Sequence, residues 1–295
     1  MTYFDLISNP HYSKKALLFK LFEFYAGKSK DQIYLEYNDE IQPAIEQSVI
    51  EWYRRYIDGG EPLEYITDNV SFLGNHFHID GRALIPRPET EYMIQSVVEW
   101  MSNQWSQNIL IDVGTGCGVL GLSSLLLAPS AWSHAYLTDY QAPIIELARK
   151  NLSRHQNDIT FRWSQSTIEL VVSSMLDWVN SDHVRLRNSH QHIVIVANLP
   201  YIPETTFDEN VDESAKKWEP RAAFVWWDDG LDWYRVMFGQ MFDLQLTWLT
   251  TPVMMYLEMM TWQMEILERE FGSRIQFTVT KTFHFNIIIV QGLIG

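Results

Sequence analysis

The sequence contains a single cysteine, Cys117, in 295 residues. That excludes an intramolecular disulfide and any zinc cage made of cysteines, and it fits a reducing compartment. Basic residues are scarce as well: 22 Lys and Arg against 37 Asp and Glu give a formal charge of −15. A surface that neutralises nucleic-acid phosphates needs the opposite balance, so nucleic acid is not the expected partner. No apolar run approaches the ~18 residues that a membrane helix requires. The stretch Met1 to Pro10 is broken by acidic and polar residues where a secretory signal is apolar. The expectation is a soluble cytoplasmic monomer that meets no membrane and holds no metal. Core-forming residues are plentiful. A hydrophobic content of 46% with 14% aromatics argues against disorder. The length suggests two domains at ~150 residues each.

Two periodicities divide the chain. From about Ser13 to Gly60 the pattern is helical. Leu18, Leu21, Phe22 and Tyr25 form one stripe; Ile41, Ile45, Val49, Trp52, Tyr53 and Tyr56 form another. From Glu61 to Ile85, Ile66, Val70, Phe72, Phe77 and Ile79 with turn signals at Gly74-Asn75 and Asp80-Gly81 suggest a β-hairpin. His76 and His78 at strand spacing are too few to make a metal site. Leu84-Ile85-Pro86-Arg87-Pro88-Glu89-Thr90-Glu91 then leads stiffly into a helix with Met93, Val97, Trp100 and Met101 inward. The expected domains are a helical docking domain over 1–60, a hairpin and proline-rich linker over 61–90, and an α/β domain over 91–295.

That last part alternates. Strands are expected at Ile109–Val113, Ala135–Thr138, Ile159–Trp163, Ile193–Ala197, Val253–Glu258, Ile275–Thr280 and Phe285–Val290. Helices are expected at Leu120–Leu127, Ala142–Leu152 and Thr167–Val179. Such alternation predicts a mainly parallel sheet with right-handed crossovers. The acidic stretch Glu204–Glu213 reads as a mobile loop.

Asp112-Val113-Gly114-Thr115-Gly116-Cys117-Gly118 follows the first of these strands and opens a helix. Glycines there let the backbone approach a ligand, and a helix N-terminus favours an anion. Gly116-Cys117-Gly118-Val119-Leu120-Gly121 also fits the dinucleotide fingerprint, so the glycines alone do not choose a cofactor. Asp139, which ends the next strand, suits a ribose hydroxyl in either case. Asp112, together with an amide-holding motif that begins at Asn198, tips the choice, since a carboxylate before the first glycine suits a cationic amine. S-adenosylmethionine carries both an amino-acid head and a ribose; NAD has no ammonium.

The apolar run ending at Ala197 leads into Asn198-Leu199-Pro200-Tyr201. Open α/β sheets bind ligands at the carboxyl ends of their strands. An Asn198 amide oxygen, a Leu199 carbonyl held extended by Pro200 and the flat face of Tyr201 together suit a planar NH2 group. The plainer reading is a strand-to-loop transition with a turn proline.

The glycine loop, Asp139 and Asn198–Tyr201 resemble the signature of class I amino-group methyltransferases. Glu61-Pro62-Leu63-x-Tyr65-Ile66, Leu84–Glu91 and Trp218-Glu219-Pro220-Arg221-Ala222-Ala223 narrow the resemblance to the peptide chain release factor glutamine methyltransferases, the HemK/PrmC family, from about residue 13 onward. The resemblance implies a Rossmann-like seven-stranded sheet with its last strand antiparallel. It implies S-adenosylmethionine as cofactor and methylation of the glutamine amide in the Gly-Gly-Gln motif of class 1 release factors. Cofactor contacts are implied at Asp112, Gly114, Thr115, Gly116, Cys117, Gly118, Asp139 and Asn198. Substrate contacts and catalysis are implied at Asn198, Leu199, Pro200 and Tyr201. The chain departs from the family in three places. Leu199 stands where the family has a proline, Ser164-Gln165-Ser166-Thr167 where it has an adenine-bordering Asp-Trp pair, and no arginine lies near Asn286. The Asn-Leu-Pro-Tyr spelling is also similar to ribosomal RNA adenine dimethyltransferases. The alternatives are therefore such an enzyme, a ribosomal-protein glutamine methyltransferase, or a cofactor-binding protein without turnover.

Overall fold

The computed structural model describes residues 1–102, 108–162, 167–179, 192–247, 253–283 and 286–294. The chain forms two compact units, Met1–Asn69 and Val70–Gly295.

The first unit is helical: α1 (Tyr3–Ser8), α2 (Lys15–Ala26), α3 (Lys30–Leu35), α4 (Pro43–Ile57) and α5 (Leu63–Thr67). α1 starts before the helical pattern is evident from apolar spacing, and its signal is a cap. Thr2 Oγ1 accepts the Asp5 amide at 3.1 Å and Asp5 Oδ2 accepts the Thr2 amide at 3.0 Å, so two donors of the first turn are satisfied reciprocally. The α2 stripe does face inward at Leu18, Leu21 and Phe22, with Val49 and Tyr53 of α4 in the same core. Tyr25 and Tyr56, at the ends of the two stripes, are exposed. Ile66, expected in the hairpin, lies in α5.

The second unit begins with the hairpin of β1 (Val70–Phe72) and β2 (Asn75–Phe77). Val70 pairs with Phe77 and Phe72 with Asn75, so the two-residue turn is Leu73-Gly74, both at positive φ. α6 (Pro88–Ser102) follows, with Met93, Val97 and Met101 buried as expected. Among the described residues a seven-stranded sheet has the order β5-β4-β3-β6-β7-β9-β8. Its strands are β3 (Asn108–Val113), β4 (Trp132–Asp139), β5 (Thr167–Val172), β6 (Ile193–Ala197), β7 (Val253–Met260), β8 (Gln276–Thr282) and β9 (Ile287–Ile294). β9 lies antiparallel to both neighbours; the pairs among β3 to β7 are parallel. The helices between and after these strands are α7 (Val119–Leu127), α8 (Ala142–Arg162), α9 (Phe207–Asn210), α10 (Glu213–Trp218), α11 (Asp232–Thr247) and α12 (Thr261–Phe271).

Two expectations for the third αβ unit are overturned together. The helix expected to stop at Leu152 continues to Arg162 and takes in Ile159, the start of the expected strand. The strand lies instead at Thr167–Val172, where a helix was expected. Isolated apolar residues of a long amphipathic helix imitate a short strand, whereas the β-branched run Thr167-Ile168 and Val171-Val172 carries true strand propensity. Trp163, Ser164–Ser166 (part of the stretch that stands where the family has its Asp-Trp pair) and Phe285 lie outside the described residues. The acidic stretch after Tyr201 is likewise not an open loop. A 3-10 turn over Glu204–Thr206, then α9 and α10, bury Phe207, Val211 and Ala215 against Phe224 and Val225. No helix among the described residues is long and apolar enough to cross a membrane.

Candidate active site

β3 turns to β4 and β5 on one side and lies beside β6 on the other, so the strand order reverses between β3 and β6. Loops leaving the carboxyl ends of neighbouring strands part at such a point and leave a crevice. A cleft lies there. Gly114, Gly116 and Asp139 line it together with Asn198, Leu199 and Pro200. The fold thus unites two motifs more than eighty positions apart.

The expected cofactor residues divide into two sets. Gly114 and Gly116 face the cleft, whereas Thr115 and Cys117 are buried behind them, at 4% and 2% exposure. Burial pushes the Cys117 thiol up to about 12, so it is inert packing. Gly118 is also buried, on the side of Leu122 and Ala148. Asp139 accepts the amides of Gly116 at 3.3 Å and Gln141 at 3.1 Å. Burial raises its pKa against the pull of those amides.

Asp112 is fully buried and braces the loop from below. Its Oδ2 accepts the Thr115 hydroxyl at 2.6 Å and the Gly121 amide at 2.8 Å, while Oδ1 has no partner. Desolvation raises its pKa to about 7. Gly121 is the point where α7 meets the sheet: a Cβ there would sit 2.8 Å from Leu137 Cγ. At Gly114, with φ +71°, a Cβ would lie 2.8 Å from Leu199 Cδ2. The Leu199 side chain therefore lies against the glycine loop, only 2% exposed.

The polar groups of the tetrapeptide turn toward β7. Asn198 Nδ2 donates to Thr90 Oγ1 at 3.2 Å, and the Thr90 hydroxyl donates to Glu258 Oε2 at 2.7 Å. The Tyr201 hydroxyl donates to Glu258 Oε1 at 3.0 Å. Tyr201 is held from its backbone side too, since Gln263 Nε2 donates to the carbonyls of Tyr201 and Asp229, both at 2.7 Å. Burial raises the pKa of Glu258, opposed by the hydrogen bonds it accepts. Burial and the Glu258 charge raise that of Tyr201.

Two other segments read from the sequence close the cleft. Glu219, 6% exposed, accepts the Ile85 amide at 2.9 Å and Arg87 Nη2 at 2.6 Å. This joins Leu84–Glu91 to Trp218–Ala223, and Leu84, Pro220 and Ala222 line the far wall. Glu91 Oε1 accepts the Leu73 amide at 2.8 Å and so anchors the hairpin turn. At the cleft edge Tyr140 and Trp233 face each other at 6.0 Å, and Trp226 lies 4.3 Å from Trp233.

Sequence reasoning missed Thr90, Glu258, Gln263 and Trp233. Glu258 did carry a signal: it is the single charged residue in the apolar strand Val253–Met260, where an acid must have partners.

The strand order, the antiparallel β9, the glycine loop after β3 and the acid ending β4 define a class I methyltransferase fold. A family model described as "Lysine methyltransferase" matches residues 88–211. The release factor glutamine methyltransferase of Clostridium acetobutylicum is 30% identical over 210 residues, which cover 70% of this chain and 67% of that protein. The release factor glutamine methyltransferase of Bacillus cereus is 30% identical over 199 residues, 67% of this chain and 64% of that protein. The chain thus spans just under two thirds of the Bacillus protein's length. The solved hMettl16 catalytic domain in complex with MAT2A 3'UTR hairpin 6 shares the fold, with a TM-score of 0.51 at 12% identity over 85% of this chain and 81% of that one. The chain belongs to the release factor glutamine methyltransferase family.

Proposed function

We propose that the protein transfers a methyl group from S-adenosylmethionine to the side-chain amide nitrogen of the glutamine in the Gly-Gly-Gln motif of a class 1 release factor. The observation that carries this reading is Asn198, whose amide stands at the rim of the cleft lined by Gly114, Gly116 and Asp139.

The residues fit the cofactor. Gly114 and Gly116 leave backbone open to the cleft, and Asp139 presents a carboxylate for a ribose. The unpartnered Asp112 Oδ1, buried behind the glycine loop, leaves a negative field there that favours the ammonium end of S-adenosylmethionine and offers nothing to a nicotinamide dinucleotide. Tyr140 and Trp233 offer flat faces for a purine. When bound, S-adenosylmethionine supplies an activated methyl group on a sulfonium, so the protein needs no metal and no covalent intermediate.

An amide nitrogen is a poor nucleophile because its lone pair is shared with the carbonyl, and no side chain here is basic enough to deprotonate it. Asn198 Oδ1 and the Leu199 carbonyl accept its two hydrogens instead. That fixes the nitrogen in place and favours the pyramidal geometry of the transition state. Tyr201 packs beside the amide, and Pro200 keeps the Leu199 carbonyl extended.

A protein substrate suits the surface better than RNA. The formal charge of −15 and the acidic segment Glu204–Glu213 beside the site repel a phosphate backbone and attract a basic protein surface. The helical unit is the proposed docking element, in a cytoplasmic monomer. Labelled S-adenosylmethionine, a purified release factor, its Gln→Ala variant in Gly-Gly-Gln, and ribosomal RNA test the reading. Label is expected on the wild-type factor alone. Label on RNA, or on the Gln→Ala factor, refutes it.

A further inference from the structure

We infer that Thr90 and Glu258 are positioning residues that set which end of the Asn198 amide faces the cleft. For its kinetic consequences, though not for its geometry, this inference rests on the glutamine-methyltransferase reading.

The argument counts protons. An amide side chain has an acceptor end and a donor end of nearly equal shape, so sterics alone do not choose between them. The choice belongs to the group behind it. Thr90 is 3% exposed and has one hydroxyl proton, which it gives to Glu258 Oε2 at 2.7 Å. Only lone pairs remain on Thr90 Oγ1 to meet Asn198, so Asn198 turns its NH2 inward, at 3.2 Å. The oxygen, Oδ1, is left for the cleft. Glu258, itself 3% exposed, accepts on both oxygens, from Thr90 at Oε2 and from Tyr201 at Oε1, and so fixes the direction of the whole chain.

Glu258 also takes the Tyr201 hydroxyl at 3.0 Å. One side chain on β7 therefore orders both polar side chains of the tetrapeptide that follows β6. Its accepting oxygen stands behind the Thr90 hydroxyl and through it polarises the Asn198 amide toward Oδ1, because hydrogen bonds in series strengthen one another. Burying a carboxylate costs stability that an apolar or amide side chain would spare. A residue that only filled this space would not need the charge, whereas the polarity of the relay does.

Thr90→Val tests this by removing the relay while keeping the volume; Thr90→Ser keeps the hydroxyl. The first readout needs no substrate. The side-chain NH2 resonances of Asn198, identified by their loss in Asn198→Ala, are expected to move in Thr90→Val and to stay in Thr90→Ser. The second readout is transfer to a release factor. kcat is expected to fall about 100-fold or more in Thr90→Val, on the scale of lost pre-organised groups. The Kd for S-adenosylmethionine stays near wild type, and Thr90→Ser restores kcat. Glu258→Leu, which leaves Thr90 no side-chain acceptor at that position, is expected to match Thr90→Val in both readouts. Unmoved Asn198 resonances in Thr90→Val overturn the inference, as does wild-type kcat in that variant. A wild-type protein that methylates no release factor refutes the proposed function instead, and the resonances still decide the relay.

Discussion

Asp112→Asn should stabilise the cofactor-free protein at neutral and alkaline pH. The wild-type carboxylate is fully buried, with one oxygen paired twice and the other not at all. Desolvation lifts its pKa from the ordinary 3.8 to about 7. The folded-state value lies above the unfolded one, so folding favours the protonated form. The stability this group provides is complete below about pH 4 and is lost as the pH rises through about 7. At about 1.4 kcal/mol per pH unit, the interval between 3.8 and about 7 amounts to about 4 kcal/mol. Asparagine has a similar shape, and its oxygen can still accept from Thr115 and Gly121, but it never ionises. Urea denaturation of both proteins at a series of pH values gives the comparison. The variant's advantage should grow by about 2.5 kcal/mol between pH 5 and pH 8, the part of the linkage that falls in that window. A constant difference across the window would refute the reasoning, for it would mean that water or a cation reaches Oδ1.

Asn198→Ala should cost about 3–4 kcal/mol of transition-state stabilisation in methyl transfer, as for other pre-organised polar groups. Leu199→Pro should retain most of kcat, because the residue acts through its backbone carbonyl; equal kcat losses in the two variants contradict these roles. Asp139→Ala should weaken S-adenosylmethionine binding by about 1–3 kcal/mol in calorimetry, and an unchanged Kd would remove Asp139 from the site. Gly230→Ala should lose about 1–3 kcal/mol in chemical denaturation. Its Cβ would stand 2.2 Å from the Tyr201 carbonyl oxygen at a φ of +72°, and full stability would show that this loop yields.

The glycine loop was legible because backbone geometry fixes it: a tight approach and an opening helix demand small residues in a row. The buried strands around it were legible for a similar reason. β6 is Ile-Val-Ile-Val-Ala with every residue buried, and so apolar a run admits few alternatives. Thr167–Val172 was not. Its exposure pattern shows no buried residue, as befits the sheet edge beside β4, and without a buried face its periodicity is weak. The acidic segment after Tyr201 misled for the opposite reason. Its many charges hide Phe207, Val211 and Ala215, which bury themselves against residues further along the chain.

The sequence by itself named the groups proposed to carry the chemistry, since an amide, a carboxylate at a strand end and open glycine backbone keep their character wherever they are placed. Tertiary structure alone decided how they are aimed. Thr90 lies 108 positions from Asn198 and 168 from Glu258, and no local propensity links such distances. They meet because β6 lies beside β7 and α6 begins where those two strands end. Strand order is set by the burial of whole faces, and the order brings the Glu258 carboxylate behind Asn198, where it turns a symmetric-looking amide into a directed one.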